Sequence, residues 1–120
     1  MQKGRDLSLI GIVGVCAAGK TTLITNLTRL GYTCRHIAQE HSYVPDMWQR
    51  LTDPDILIYL EASYPMTIVR RNMTWTQSEY QEQLERLVHA KSHADILVYT
   101  DNLNLQEVLE YVVSKLISLL

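Results

Sequence analysis

Residues Gly14 to Thr22 read GVCAAGKTT, and they satisfy the spacing G-x-x-x-x-G-K-[ST] through Gly14, Gly19, Lys20 and Thr21. The approach is apolar, with Leu7, Leu9, Ile10, Ile12 and Val13. The exit has helical spacing, with Leu23, Ile24, Leu27 and Leu30. A chance glycine turn would share the glycines but not both flanks. Read as a phosphate-binding loop, the stretch has a physical reason for each part. Glycines let the backbone curl so that several N–H groups point inward, which covers Val15, Cys16, Ala17 and Ala18 as well as the glycines. The first helical turn, with Thr22, adds unpaired N–H groups and a partial positive charge. Lys20 would reach the β- and γ-phosphates, and the Thr21 hydroxyl would ligate Mg²⁺.

The elements that follow alternate between strand and helix. A first strand is expected over 7–13 and a helix over 20–29, ended by Gly31. A weakly alternating second strand follows over 32–39. Helical turns over 45–51 precede a third strand, DILIYLE, over 55–61. Ser63 reads as the cap of a helix opening at Pro65 and carrying Arg70 and Arg71. Thr76 and Glu79 have capping-box spacing before a helix with Tyr80, Leu84, Leu87 and Val88 on one face. A fourth strand, ADILVYT, over 94–100 reads as buried on both faces. Asn104 and Glu107 repeat the capping-box spacing, with Leu103 and Val108 as a staple. The last helix then carries a stripe of Leu105, Val108, Leu109, Val112, Leu116 and Leu119. This order predicts one domain over 1–120: a three-layer α/β/α sandwich with a mostly parallel four-stranded sheet of the P-loop NTPase type.

Composition narrows the class. The chain has 120 residues, 47% hydrophobic and 20% charged, with a net charge of −2. Its basic residues are dispersed, which gives no support for nucleic-acid or membrane binding. Apolar stretches break well short of the roughly 18 residues of a membrane helix. Residues 1–6, MQKGRD, are too short and polar to begin a secretory signal. Cys16 and Cys34 form no metal-ligand or C-x-x-C spacing, and a reducing, cytoplasmic compartment suits both.

Ligands of a parallel sheet sit at the carboxyl ends of its strands, so residues far apart in sequence are expected at one edge. Glu40, after the second strand, is a candidate to hold Mg²⁺ or accept a substrate proton, with His41 beside it. Asp55 starts its strand and lies at the wrong end for metal. Glu61 is at the correct end, yet no aspartate closes that strand as a Walker-B residue would. Arg70 and Arg71 point about 100° apart on a helix, so one of them is expected to meet phosphate. Trp48, Trp75, Tyr43 and Tyr64 read as packing ahead of base stacking, and Met47 as a possible apolar substrate wall. His36, His89 and His93 form no convincing metal spacing. On the last helix, Tyr111, Val113, Ile117 and Leu120 lie beside the main stripe. They are buried either in a homodimer or in a wide core face.

Three stretches together resemble the small P-loop kinases, the group that includes nucleoside, nucleotide, shikimate and gluconate kinases. They are IGIVGVCAAGKTTLITNL (10–27), PDILIYLEASYPMTIVRR (54–71) and HADILVYTDNLNLQEVLEYVVSKL (93–116). The resemblance implies ATP and Mg²⁺ as cofactors, with Lys20 and Thr21 on the phosphates and metal and Arg70 or Arg71 as a lid arginine. It also implies that Asp101, Asn102 and Leu103 pass near the adenine, and that Glu40 meets substrate or metal. A guanine-reading N-K-x-D stretch is absent. The chain differs from the group in having four strands rather than five and a short 43–53 segment where the acceptor usually binds. The implied activity is phosphoryl transfer to a small metabolite or nucleotide. A slow nucleotide-binding regulator and a partner-dependent NTPase are the alternatives.

Overall fold

The computed structural model describes residues 8–71 and 74–120, with the backbone alone at Arg71. The elements are β1 (Leu9–Gly14), α1 (Lys20–Arg29), β2 (Thr33–His36), a 3₁₀ turn (Gln39–His41), α2 (Met47–Leu51) and β3 (Ile56–Glu61), then α3 (Tyr64–Arg71), α4 (Gln77–Arg86), α5 (Val88–His93), β4 (Ile96–Tyr99) and α6 (Leu105–Leu119). The strands form one parallel sheet in the order β2-β1-β3-β4. Helices cover both faces, so the chain is a three-layer α/β/α sandwich. None of the described helices is long and apolar enough to cross a membrane.

β1 and β3 are the inner strands and are buried almost throughout. That is why they read as continuous apolar runs. Their amino ends are tied by two equivalent devices. The Leu9 N–H donates to the Asp55 carboxylate at 2.7 Å, and the Leu57 N–H donates to Asp95 at 2.8 Å. Each aspartate thus completes the ladder of the neighbouring strand where its own strand has not yet begun. Asp55 therefore belongs to the sheet, at the end opposite the loop.

Gly14 closes β1 directly against Leu60 of β3. A Cβ there would lie 2.1 Å from the Leu60 carbonyl oxygen, and the φ of +155° also disfavours a side chain. α1 spans the expected residues and ends as Gly31 suggests. Gly31 has φ +98°, and the N–H groups of Gly31 and Tyr32 return to the Thr28 and Leu27 carbonyls at 3.0 and 3.1 Å. This is a Schellman closure.

Both capping boxes form, at Thr76/Glu79 and at Asn104/Glu107. Four expectations are corrected. The second strand stops at His36, because Gln39–His41 is drawn into a 3₁₀ turn whose first two side chains are buried. The helix expected to run from Tyr80 through Val88 breaks at Leu87, whose N–H is shared between the Gln83 and Leu84 carbonyls. The break turns Leu87 and Ala90 into the core and leaves Val88 in solvent. β4 is buried on one face only. α5 packs on β3, so Leu97 and Tyr99 on the same face of the edge strand stay exposed. On α6, Val108, Val112 and Leu116 are buried, while Leu105 and Leu119 of the expected stripe are exposed. Val113 packs against the core, whereas Tyr111, Ile117 and Leu120 lie outside it.

The two glycines are expected to behave differently on substitution. Gly14→Ala must push β1 and β3 apart and should lower unfolding free energy by about 3 kcal/mol. Gly31→Ala meets no neighbour within 4 Å and should cost about 1 kcal/mol, through its backbone conformation alone. Urea denaturation of the two variants side by side measures the difference.

Candidate functional site

The chain leaves β1 at Gly14 and enters α1 at Lys20 through a tight loop. Ala17 (φ +66°) and Gly19 (φ +99°) both take left-handed conformations, which curls the backbone back over the strand end. Gly19 caps α1 without any side-chain hydrogen bond, and the first turn contains no acid. The orphan N–H groups of that turn therefore keep their partial positive charge uncompensated by side chains.

Lys20 folds back beneath the loop rather than extending from it. Its ammonium donates to the Gly14 and Val15 carbonyls at 2.7 and 2.9 Å and lies 3.3 Å from Glu40 Oε2. Lys20 is 7% exposed and Glu40 3% exposed. In such a dry setting each charge depends on the other, since removing one partner leaves a buried charge without compensation. The second carboxylate oxygen, Glu40 Oε1, is buried with no hydrogen-bond partner. His41 Nε2 stands 3.7 Å from Oε2, on the solvent side.

The acid reaches this place by way of its neighbours. Gln39 is fully buried; its carbonyl accepts the Trp48 N–H at 2.8 Å, and its amide donates to the Val44 and Arg86 carbonyls at 2.8 and 3.3 Å. Arg86 in turn donates to the Glu40 carbonyl at 3.2 Å. From the same helix, Gln83 holds the loop: the Cys16 N–H donates to its carbonyl at 3.0 Å, and its amide donates to Cys16 Sγ at 3.1 Å. Sequence reasoning missed both glutamines. Gln83 had a signal, a polar side chain on the apolar stripe between Tyr80 and Leu87. Gln39 had none.

An open cleft of about 730 Å³ lies over the loop. The loop residues Cys16 to Thr22 line it, with His36 and Glu40 on one side and Arg70 and Thr100 on the other. Its far end is Leu103, Asn104, Leu105 and Val108. Arg70 is aimed inward from α3, donating to the Thr100 hydroxyl at 2.7 Å and to its carbonyl. The Arg71 side chain lies outside the described residues. Of the turn after β4, Leu103 lines the cleft. Asp101 does not; its carboxylate accepts the Ser63 N–H at 2.8 Å and ties the β4 exit to the β3 exit. Asn102 is exposed and is not part of the lining.

Other candidates are placed elsewhere. Glu61 accepts the Tyr59 hydroxyl at 2.6 Å and the Lys91 ammonium at 3.2 Å on the α5 side of the sheet, away from the cleft. Burial, with the Glu61 carboxylate beside it, pushes the Tyr59 phenol far above its usual range. Trp48 is buried and donates to His89; Trp75 donates to Thr67; Tyr64 donates to the Trp75 carbonyl. All three are packing residues. Tyr43 is exposed, with the Arg86 guanidinium 4.5 Å above its ring, and Met47 does not line the cleft. His89 and His93 stack on each other on α5. Burial pushes the Cys34 thiol up to about 11, so it stays protonated near neutral pH.

Compared with known proteins, the chain matches no protein-family model and no curated protein.

Proposed function

We propose that the chain binds a nucleoside triphosphate with Mg²⁺ in this cleft, as a P-loop protein, and acts as a compact phosphotransferase on a small metabolite or nucleotide. One observation carries the reading. A buried ammonium, Lys20, is held against the carbonyls of a glycine-bounded loop at the amino end of a helix, with a buried carboxylate 3.3 Å away. Such a loop offers a ring of N–H donors, a helix terminus and a lysine to one anion.

The roles follow from position. Lys20 would draw the β- and γ-phosphates onto the loop while keeping its carbonyl contacts. Arg70 reaches into the cleft opposite the loop and would neutralise charge developing on the transferred group. The Leu103, Leu105 and Val108 end of the cleft is apolar and suits a base held by contact. Adenine is preferred by resemblance. The unpartnered Glu40 oxygen and the exposed Thr21 hydroxyl are hard oxygen donors, which fits them to hold Mg²⁺ directly or through water. When bound, Mg²⁺ would supply positive charge to offset that of the phosphates.

A second reading is a nucleotide-binding regulator. Among the described residues Glu40 is the single carboxylate lining the cleft, and it already balances Lys20. The 43–53 segment is folded onto its own core through Gln39 and Trp48. Neither feature supplies an acceptor site. The partner-dependent NTPase shares the first half of this argument.

Calorimetry with ATP·Mg²⁺ tests binding. Lys20→Ala should weaken it by about 30-fold or more, near 2 kcal/mol. The buried pair adds a stability effect that the sequence did not foretell: Lys20→Ala should also lose about 3 kcal/mol of folding free energy, because Glu40 is left unpaired. The double variant Lys20→Met, Glu40→Gln should recover most of that stability and none of the binding. Absence of binding to ATP, GTP or their diphosphates by the natural chain overturns the proposal.

Turnover separates the readings. Labelled ATP·Mg²⁺ is incubated with the protein alone and then with a pool of nucleosides, nucleotides and small metabolites. A new phosphorylated product, lost in Glu40→Gln, is expected of the kinase. Phosphate release without acceptor indicates the NTPase. Tight binding with neither product indicates the regulator.

A further inference from the structure

Beside the cleft, one donor atom each from Cys16, Glu40 and His41 comes within 4.8 Å of the other two. They form a sulfur, oxygen and nitrogen set, contributed by the loop and by the 3₁₀ turn. Each backbone is anchored independently of the cluster: Cys16 through Gln83, and the turn through Gln39 and Arg86. Glu40 is almost wholly buried, and its Oε1 has no partner. The Glu40 oxygen facing His41, at 3.7 Å, is Oε2, which also contacts Lys20, and the unpartnered Oε1 offers the ion a second oxygen without breaking a hydrogen bond. His41 is 60% exposed and free to turn inward.

We infer that Cys16, Glu40 and His41 form a site for a thiophilic divalent cation such as Zn²⁺, with three protein ligands and an open fourth position. A tetrahedral ion with bonds of about 2.0–2.3 Å needs its ligand atoms roughly 3.5 Å apart. His41 Nε2 is already 3.7 Å from a Glu40 oxygen, and no pair in the cluster exceeds 4.8 Å, so only a small contraction is needed. Binding is balanced by loss of the Cys16 S–H proton to solvent, which leaves thiolate on the metal. The Gln83 amide already donates to that sulfur at 3.1 Å and holds it toward the cluster. The Lys20 ammonium, 3.3 Å from Glu40, opposes a second positive charge, so the expected affinity is weaker than that of a structural zinc site.

The site has a consequence that rests on the nucleotide reading. Mg²⁺ takes oxygen ligands and avoids thiolate. Glu40 would serve either ion but not both. A thiophilic cation would therefore pin Cys16 and Glu40 at the loop and exclude the nucleotide.

Co²⁺ titration of the reduced full chain, without nucleotide, tests the site separately from the function. One equivalent should bind with a near-ultraviolet thiolate-to-cobalt charge-transfer band, displaced by Zn²⁺. Cys16→Ser should abolish the band, and His41→Gln, a change at the surface that leaves the fold undisturbed, should weaken binding at least about tenfold. Cys34→Ser and His93→Gln should change nothing. The inference is overturned if no band appears, if it survives Cys16→Ser, or if it is lost in His93→Gln instead. Adding one equivalent of Zn²⁺ should weaken ATP·Mg²⁺ binding in the natural chain and not in Cys16→Ser. Unchanged ATP binding in the natural chain overturns the exclusion, whereas failure of ATP to bind at all removes the proposed function and leaves the metal site standing.

Discussion

The Lys20 ammonium, buried between two loop carbonyls and the Glu40 carboxylate, is the constraint on which the rest of the site depends. An ammonium this far from water is tolerated only where donors and countercharge are all satisfied. Here the satisfaction comes from three segments at once: the end of β1, the loop itself and the 3₁₀ turn after β2. Each must be in place for the others to be stable. The parallel pairing of β1 with β2 brings the carboxylate to the loop, and the tight closure of Gly14 on Leu60 fixes where the loop begins.

Polar side chains from the opposite layer hold this arrangement. Gln83 and Arg86 project from α4 to the loop and to the Glu40 backbone, and Gln39 joins the turn to Trp48 and to Arg86. Buried amides are costly unless every group finds a partner, and here they do. The result is a loop fixed from behind by a helix that contributes nothing to the cleft surface. The loop is thus held entirely by contacts within the chain.

The sheet divides its two ends between different tasks. At the amino ends, Asp55 and Asp95 spend their charge on backbone N–H groups of neighbouring strands. At the carboxyl ends, the strand exits are held by backbone and hydroxyl contacts, as where Asp101 binds the Ser63 N–H and Arg70 binds Thr100. This leaves Glu40, among the described residues, as the acid facing the cleft. Glu61 illustrates the point. It stands at the expected end of β3 but faces α5, where Tyr59 and Lys91 occupy it.

The sequence by itself determined what depends on local chemistry. The apolar runs of β1 and β3, the helix between Lys20 and Gly31, both capping boxes and the glycine loop were all readable, because each rests on residues within a few positions of one another. It also fixed the parallel four-stranded sheet through the strand–helix alternation, and it singled out Lys20, Glu40 and the Arg70–Arg71 pair. The tertiary structure alone decided which groups meet. It paired Lys20 with Glu40, turned Arg70 to the cleft, withdrew Asp101 to Ser63, broke the helix at Leu87 and exposed one face of β4. It also brought Gln83 to Cys16 across 67 positions of chain. Periodicity reports which face of an element is buried. It carries no information on what lies across from that face, because that depends on how the layers pack and on which polar groups must be satisfied once water has gone.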